Sequence, residues 1–159
     1  MLSANTPALM RLARSYTNTN NDREDLLQDI VLAIWQALPR FRNESSVKTF
    51  LFRIALNRSL TFLAQRKPVI QTGEEFEIVD SRRNPEKEFA KGQEQSRLMA
   101  AIHNLPIDYR QVITLTLEDL SYTEIADVLG ISESNVGVRL NRARQMLRRL
   151  LEVPENERR

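Results

Sequence analysis

One stretch decides the fold of this chain, Ser121-Tyr122-Thr123-Glu124-Ile125-Ala126-Asp127-Val128-Leu129-Gly130-Ile131-Ser132. Ser121 and Glu124 have the spacing of a capping box, in which each side chain bonds an unpaired backbone N–H at a helix start. Gly130 suits a helix end, because glycine adopts a left-handed backbone without steric cost. Ser132 can cap a following helix. The stretch therefore predicts a short helix, a tight turn and a second helix.

The second helix is predicted to be amphipathic and basic. Apolar residues recur at helical spacing in both helices, namely Ile125, Ala126 and Leu129 in the first and Val136, Leu140, Ala143 and Leu147 in the second. The other faces of the second helix carry arginines, and no acidic residue occurs between Ser134 and Leu151. This combination is typical of a helix-turn-helix, whose second helix enters the DNA major groove. An ordinary helical hairpin with a solvated basic face is the alternative.

Composition favours a helical protein without metal or disulfide chemistry. The chain has 159 residues but only 4 glycines, which indicates helices rather than a turn-rich β architecture. It contains no cysteine, and its one histidine, His103, makes no metal site by itself. No apolar stretch is long enough for a membrane helix, and the N-terminus lacks the apolar core of a signal peptide. We expect an all-α, cytoplasmic protein with no cofactor and no membrane insertion.

Two small helical domains joined by a flexible linker are predicted. The first covers 1–67, the linker 68–84 and the helix-turn-helix domain 85–159. The linker carries proline, glycine and weak periodicity, and Asn84-Pro85 after it has the pattern of a helix start.

Three helices are predicted in the first domain. The first begins near Asn5-Thr6-Pro7, the second is capped by Asp22, and the third begins at Ser45 or Ser46 and ends near Gln65. The predicted buried stripe of the second helix is Leu27, Ile30, Val31, Ile34 and Leu38. Its Trp35 is expected in the core or half-buried, as is usual for a lone tryptophan in an amphipathic helix.

Charge is segregated along the chain although the net charge is only +2. The segment 22–29 is acidic, whereas 40–67 and 139–149 are basic. Two basic segments offer two places where nucleic-acid phosphates could bind, and an acidic helix offers a face for a basic partner.

Two separated groups of motifs resemble the bacterial sigma factors of RNA polymerase. The segments 22–29 (DREDLLQD), 41–45 (FRNES) and 49–57 (TFLFRIALN) resemble the second conserved region of that family. The helix-turn-helix, preceded by Leu105-Pro106, resembles its fourth region. A short linker with no other region between them is the pattern of extracytoplasmic-function (ECF) sigma factors.

The resemblance implies roles for named residues. It assigns binding of core RNA polymerase (β′ and β subunits) to the acidic helix residues Asp25, Gln28 and Asp29. It assigns opening of the −10 promoter element, with capture of a flipped base, to the loop from Phe41 and the following helix. The implied −10 contacts are Phe41, Arg42, Lys48, Arg53, Asn57 and Arg58. Promoter DNA and an anti-sigma factor, which commonly holds such proteins inactive, are the other implied partners.

The second helix of the helix-turn-helix would contact the −35 element. Its implied contacts are Asn135, Val138, Arg139, Asn141 and Arg142. Asparagine suits adenine and arginine suits guanine, while Arg139, Arg144 and Arg148 are expected at phosphates. The sequence departs from the family at Gly137-Val138, where a lysine or arginine followed by serine is common. That departure removes one phosphate or base contact.

Three functions follow from these observations. The first is a sigma factor that directs core polymerase to promoters, without enzymatic activity, since no catalytic constellation is present. The second is a sigma mimic that sequesters an anti-sigma factor, which Gly137-Val138 leaves open. The third is a stand-alone helix-turn-helix regulator, which would leave the first domain without a role.

Overall fold

The computed structural model describes residues 2–66 and 87–152, and within these ranges it contains helices and no strands. The helices are α1 (Leu2–Arg14), α2 (Asn20–Ala37), α3 (Val47–Gln65), α4 (Lys87–His103), α5 (Ile107–Leu117), α6 (Tyr122–Leu129) and α7 (Glu133–Glu152), with a 3-10 turn at Leu38–Arg40 after α2. The predicted all-α class is confirmed. The linker 68–84 and the Asn84-Pro85 helix start lie outside the described residues, so the domain boundaries stay a prediction.

The chain forms two compact units, of which the first contains α1, α2 and α3. These three helices pack against one another around side chains that are almost completely buried. The core residues are Leu9, Leu12, Ala13, Leu26, Ile30, Ile34, Leu51, Phe52, Ala55 and Leu56. This core holds α2 and α3 in place, and α2 carries the predicted polymerase contacts.

The start of α2 differs from the prediction. Thr19, not Asp22, is the N-cap residue: its side chain accepts a hydrogen bond from the Asp22 backbone N–H. The Asp22 side chain is instead largely buried, and its carboxylate bonds Arg66 at the end of α3. A threonine cap suffices at this helix start, which leaves the carboxylate available for a tertiary ion pair.

Other details of the first unit also depart from the sequence pattern. Leu26, rather than Leu27, belongs to the core, while Leu27 and Val31 are half-buried. Helix α1 begins at Leu2 and includes Pro7, which was expected at the helix start. Pro7 lies beyond the first turn, so it removes the backbone hydrogen bond that an N–H there would donate to the Ser3 carbonyl, at a cost to the helix.

The second unit contains α4, α5, α7 and most of α6. Helix α7 packs against α5 and α4, and the buried side chains come from the four helices and from the segments between them. They are Ala101, Ile102, Leu105, Val112, Ile113, Leu115, Leu120, Ile125, Val136, Leu140 and Ala143. On α6 the buried residues are Ile125 and Val128, whereas the predicted Ala126 and Leu129 are half-buried.

Within residues 2–66 and 87–152, none of the helices combines the length and apolar character needed to cross a membrane. The same ranges hold no cluster of three or more histidine, aspartate or glutamate side chains arranged to bind a metal.

Candidate functional site

The acidic face of α2 points away from the core of the first unit. Asp25 and Gln28 are exposed, as predicted for polymerase contacts. Asp29 is half-buried, and its Oδ1 accepts a hydrogen bond of 2.9 Å from Arg58 Nη2 on α3. One residue assigned to polymerase is therefore paired with one assigned to the −10 element.

A shallow groove of about 260 Å³ separates this part of α2 from α3. Its walls include the Asp29–Arg58 pair, the exposed Asp25 and the ring of Phe62. On the other side of α2, burial and then the charge of Arg14 lower the pKa of Arg23. The only arginine within 22–29 is thus half-buried towards α1, and the outer face keeps its acidic character.

Two large apolar side chains on α2 are exposed, which the sequence analysis missed. Leu32 is 56% exposed and Trp35 is 63% exposed, so the prediction that Trp35 is in the core or half-buried was wrong. Asp25, Gln28, Leu32 and Trp35 are spaced by three, four and three residues and therefore share one helix face. We call these four residues the α2 face. The spacing itself was visible in the sequence, but it also fits an ordinary core stripe.

The loop between α2 and α3 is built around an aromatic pair. The rings of Phe41 and Phe50 have their centroids 4.5 Å apart and are tilted by 37°. Asn43 takes a left-handed backbone with φ of 56°, which asparagine tolerates better than most residues. Ser46 caps α3 by accepting the Thr49 N–H at 3.0 Å. The half-buried Phe41 thus anchors a loop whose Arg42 is exposed.

The remaining residues assigned to the −10 element lie on α3. Lys48 and Arg53 are half-buried and Asn57 is exposed. Because they are four residues apart, Arg53 and Asn57 follow one another on the same helix face. Their predicted role in holding a flipped base stays a prediction.

The helix-turn-helix is capped as the sequence predicts. The Ser121 N–H donates to Glu124 Oε1 at 3.0 Å, and the Glu124 N–H donates to Ser121 Oγ at 3.1 Å. Gly130 has φ of +68° in the turn. Ser132 Oγ then accepts the Asn135 N–H at 3.1 Å. Both helices are therefore fixed at their starts by local hydrogen bonds.

A further hydrogen bond that the sequence did not reveal joins the starts of α6 and α7. Thr123 Oγ1 donates to Glu133 Oε1 at 2.7 Å. Close to it, a Cβ built on Gly137 would lie 3.6 Å from Cε2 of Tyr122, which is ordinary van der Waals contact. The starts of the two helices are therefore joined by a polar bond, and the Tyr122 ring lies near the Gly137 backbone.

The outer face of α7 carries the residues predicted to contact the −35 element. Val136, Leu140 and Ala143 are buried on the inner side, as predicted. The predicted contacts Asn135, Val138, Asn141 and Arg142 are exposed, and Arg139 is half-buried. Val138 is 48% exposed. Arg144, Arg148 and Arg149 add exposed positive charge further along the same helix.

Two family models match this chain. The model of Sigma-70 region 2 matches residues 1–69, and that of Sigma-70, region 4 matches residues 95–147. The ECF RNA polymerase sigma-E factor of Haemophilus influenzae is 31% identical over 140 residues, which cover 81% of this chain and 74% of that protein. The RNA polymerase sigma factor NccH of Alcaligenes xylosoxydans xylosoxydans is 32% identical over 151 residues, which cover 91% of this chain and 81% of that protein.

Two solved structures share the fold. One is CnrH in complex with the cytosolic domain of CnrY, with a TM-score of 0.72, 30% identity and coverage of 95% of this chain and 84% of that chain. The other is the sigma factor RpoE in complex with the anti-sigma factor NepR from Bartonella quintana. Its TM-score is 0.74, and the match covers 97% of this chain and 96% of that chain. At 24% identity it shows the fold alone.

Proposed function

The chain belongs to the extracytoplasmic-function group of the sigma-70 family, and we propose that it directs core RNA polymerase to specific promoters and assists their opening. The observation that carries this proposal is the presence of region 2 and region 4 in order on one chain, each with an exposed surface of the required chemistry. We assign the protein to the cytoplasm, as a regulatory initiation factor with no catalytic step of its own.

We propose that the α2 face binds core polymerase. Leu32 and Trp35 supply exposed apolar area, and Asp25 supplies negative charge beside it. Aromatic residues surrounded by polar groups commonly carry most of the energy of a protein interface, while charges steer the encounter. Asp29 contributes less directly, because Arg58 already holds its carboxylate.

Trp35→Ala and Leu32→Ala test this surface. Truncation of an anchoring aromatic residue typically costs 2 kcal/mol or more, so we expect affinity for core polymerase to fall by about 30-fold or more for Trp35→Ala. The measurement is a titration of labelled protein with purified core enzyme. Ala64→Ser, at an exposed position of α3 in the same unit, is the control and should bind like the wild type. Unchanged affinity of both truncated variants would contradict the assignment.

We propose that the −10 element is bound by the loop at Arg42 and by the α3 face of Arg53 and Asn57. Phe41 would act mainly by anchoring the loop, because its ring already packs on Phe50. The −35 element would lie against the outer face of α7, with its arginines at phosphates. The capped helix-turn-helix supports this placement.

We also propose regulation by an anti-sigma factor. CnrH, which is 30% identical to this chain, was solved in complex with the cytosolic domain of CnrY. Leu117 on α5 is 55% exposed and is a candidate docking residue for such a partner, whereas the nearby Leu115 is completely buried.

Run-off transcription from a pooled promoter library tests the function as a whole. Purified core RNA polymerase is used with and without this protein. We expect specific transcripts that depend on the protein and that are lost with Asn57→Ala or Arg53→Ala. Binding to core polymerase without any transcript would favour the sigma-mimic function. Failure to bind core polymerase would contradict the sigma-factor function and favour a stand-alone regulator.

A further inference from the structure

An exposed apolar patch lies at the junction of the two helices of the helix-turn-helix. Tyr122, at the start of α6, is 45% exposed, and Val138 on α7 is 48% exposed. Gly137 precedes Val138 in the chain, and a Cβ atom added to it would lie 3.6 Å from Cε2 of Tyr122. We call Tyr122, Gly137 and Val138 the junction patch. Because Gly137 has no side chain, nothing at that position covers the Tyr122 ring beside it.

The junction patch belongs to the side of α7 that would face base edges. Gly137 and Val138 lie three and four residues after Ser134, and Asn141 lies seven after it, which is the spacing of one helix stripe. The apolar core of the unit lies on the opposite side of α7, where Val136, Leu140 and Ala143 are buried. In a helix-turn-helix the residues near the start of the second helix contact base edges in the major groove.

The start of α7 has no side chain for the commonest base contact. No lysine or arginine occurs from Gly130 to Val138, so a bidentate pair of hydrogen bonds to guanine could come only from further along the helix, where Arg142 is exposed. The one charged residue in the first turn of α7, Glu133, accepts a hydrogen bond from Thr123. The exposed groups at the centre of the face are apolar, and the major-groove group that matches them is the C5-methyl of thymine.

Positive charge further along α7 supports DNA as the occupant of this patch. Arg144, Arg148 and Arg149 are exposed on α7 beyond the junction patch. Such cations neutralise phosphates and thereby fix the position of a helix in the groove. On α7 the apolar patch would therefore contact a thymine methyl group in the groove, and the arginines beyond it would contact the phosphates of the backbone.

We propose that Val138 recognises the C5-methyl group of at least one thymine in the −35 element, and that Gly137 leaves room for this contact. The inference rests on the proposed function and adds the base chemistry that Gly137-Val138 selects. Removal of a buried methyl group costs about 0.8 kcal/mol, which corresponds to a loss of about fourfold in affinity.

Deoxyuridine provides the test, because it differs from thymidine only by the missing methyl group. Each thymine of the −35 element, in a promoter taken from the run-off library, is replaced in turn by deoxyuridine. Binding of the holoenzyme, formed from core polymerase and the full chain, is then measured. We expect at least one replacement to weaken binding of the wild type about fourfold and to have no effect on Val138→Ser. Gln95→Ala, at an exposed position of α4, should keep the wild-type sensitivity.

The outcomes separate this inference from the function on which it rests. Specific transcription that is insensitive to deoxyuridine at every −35 thymine would overturn the inference alone. So would a −35 element without thymine, or equal sensitivity of the wild type and Val138→Ser. Absence of any promoter-specific transcript would overturn the proposed function and the inference together.

Discussion

Gly137 lies in the middle of α7, where a residue without a side chain reduces helix stability. An added Cβ would meet only Tyr122 Cε2, at 3.6 Å, so alanine fits without displacement of its neighbours. We expect Gly137→Ala to stabilise the second unit by about 1 kcal/mol, because alanine has the higher helix propensity. Thermal unfolding followed by circular dichroism should show a midpoint about 4–8 °C higher.

Two other glycines provide matched controls for this prediction. A Cβ atom added to Gly92, on α4, would have no neighbour within 4 Å. Gly92→Ala should therefore stabilise the second unit by a similar amount. Gly130 has φ of +68°, so Gly130→Ala should instead destabilise the fold. A loss of stability in Gly137→Ala would show that the contact with Tyr122 is tighter than ordinary packing.

Asp22 is the other residue whose environment predicts a measurable effect. It is largely buried at the start of α2, and its carboxylate bonds Arg66, whose guanidinium also lies 4.6 Å from the centroid of the Phe62 ring. Asp22→Asn should destabilise the first unit by about 1 kcal/mol, a modest value because half of the Arg66 side chain is exposed. Urea denaturation measures the change. Asp25→Asn, at an exposed position of the same helix, should leave the free energy of unfolding unchanged.

At the scale of the element, α7 depends on its N-cap. Ser132 Oγ accepts the Asn135 N–H at 3.1 Å, and Ser132→Ala would leave that N–H without its partner. We expect a loss of about 1 kcal/mol in the free energy of unfolding of the second unit. Ser134→Ala, two residues later and exposed, tests whether any serine at this helix start would give the same effect. It should change stability by a few tenths of a kcal/mol at most.

The helix-turn-helix could be predicted in detail because its determinants are local. The capping box, the left-handed Gly130 and the Ser132 cap each involve residues within three positions of one another. The α2 helix was predicted less well, because tertiary contacts decide its details. The spacing of its apolar residues correctly predicted that Ile30 and Ile34 are buried. It could not show which of the neighbouring Leu26 and Leu27 is buried or that Trp35 is exposed. Both depend on which face α1 and α3 cover.

The same limit applies to the candidate site. Four of the predicted contacts are exposed, as binding residues should be: Asp25, Gln28, Asn57 and Arg142. Their polar side chains already suggested this in the sequence. The Asp29–Arg58 pair joins residues 29 positions apart, and the Phe41–Phe50 contact depends on how the loop folds back on α3. Neither was visible in the sequence. The Thr123–Glu133 bond connects two helices across the turn and was missed for the same reason.

At the scale of the whole molecule, a net charge of +2 conceals strong segregation. The acidic part of α2 and the arginines of α7 belong to different compact units. The two proposed partners also differ in chemistry, since the α2 face offers apolar area to a protein and α7 offers cations to phosphates. Salt should therefore affect promoter binding much more than binding to core polymerase.

This difference leads to a quantitative prediction for Arg144 and Arg148, which are exposed on α7 and expected at phosphates. Each phosphate contact contributes about 0.9 to the slope of log affinity against log salt concentration. Replacement of both arginines by glutamine should therefore make the slope for holoenzyme binding to promoter DNA shallower by about 1.8. Comparison of variant and wild-type holoenzymes cancels the contribution of core polymerase, and Gln95→Ala should leave the slope unchanged. If the affinity fell without any change in slope, these arginines would stabilise the protein or its complex without neutralising phosphates.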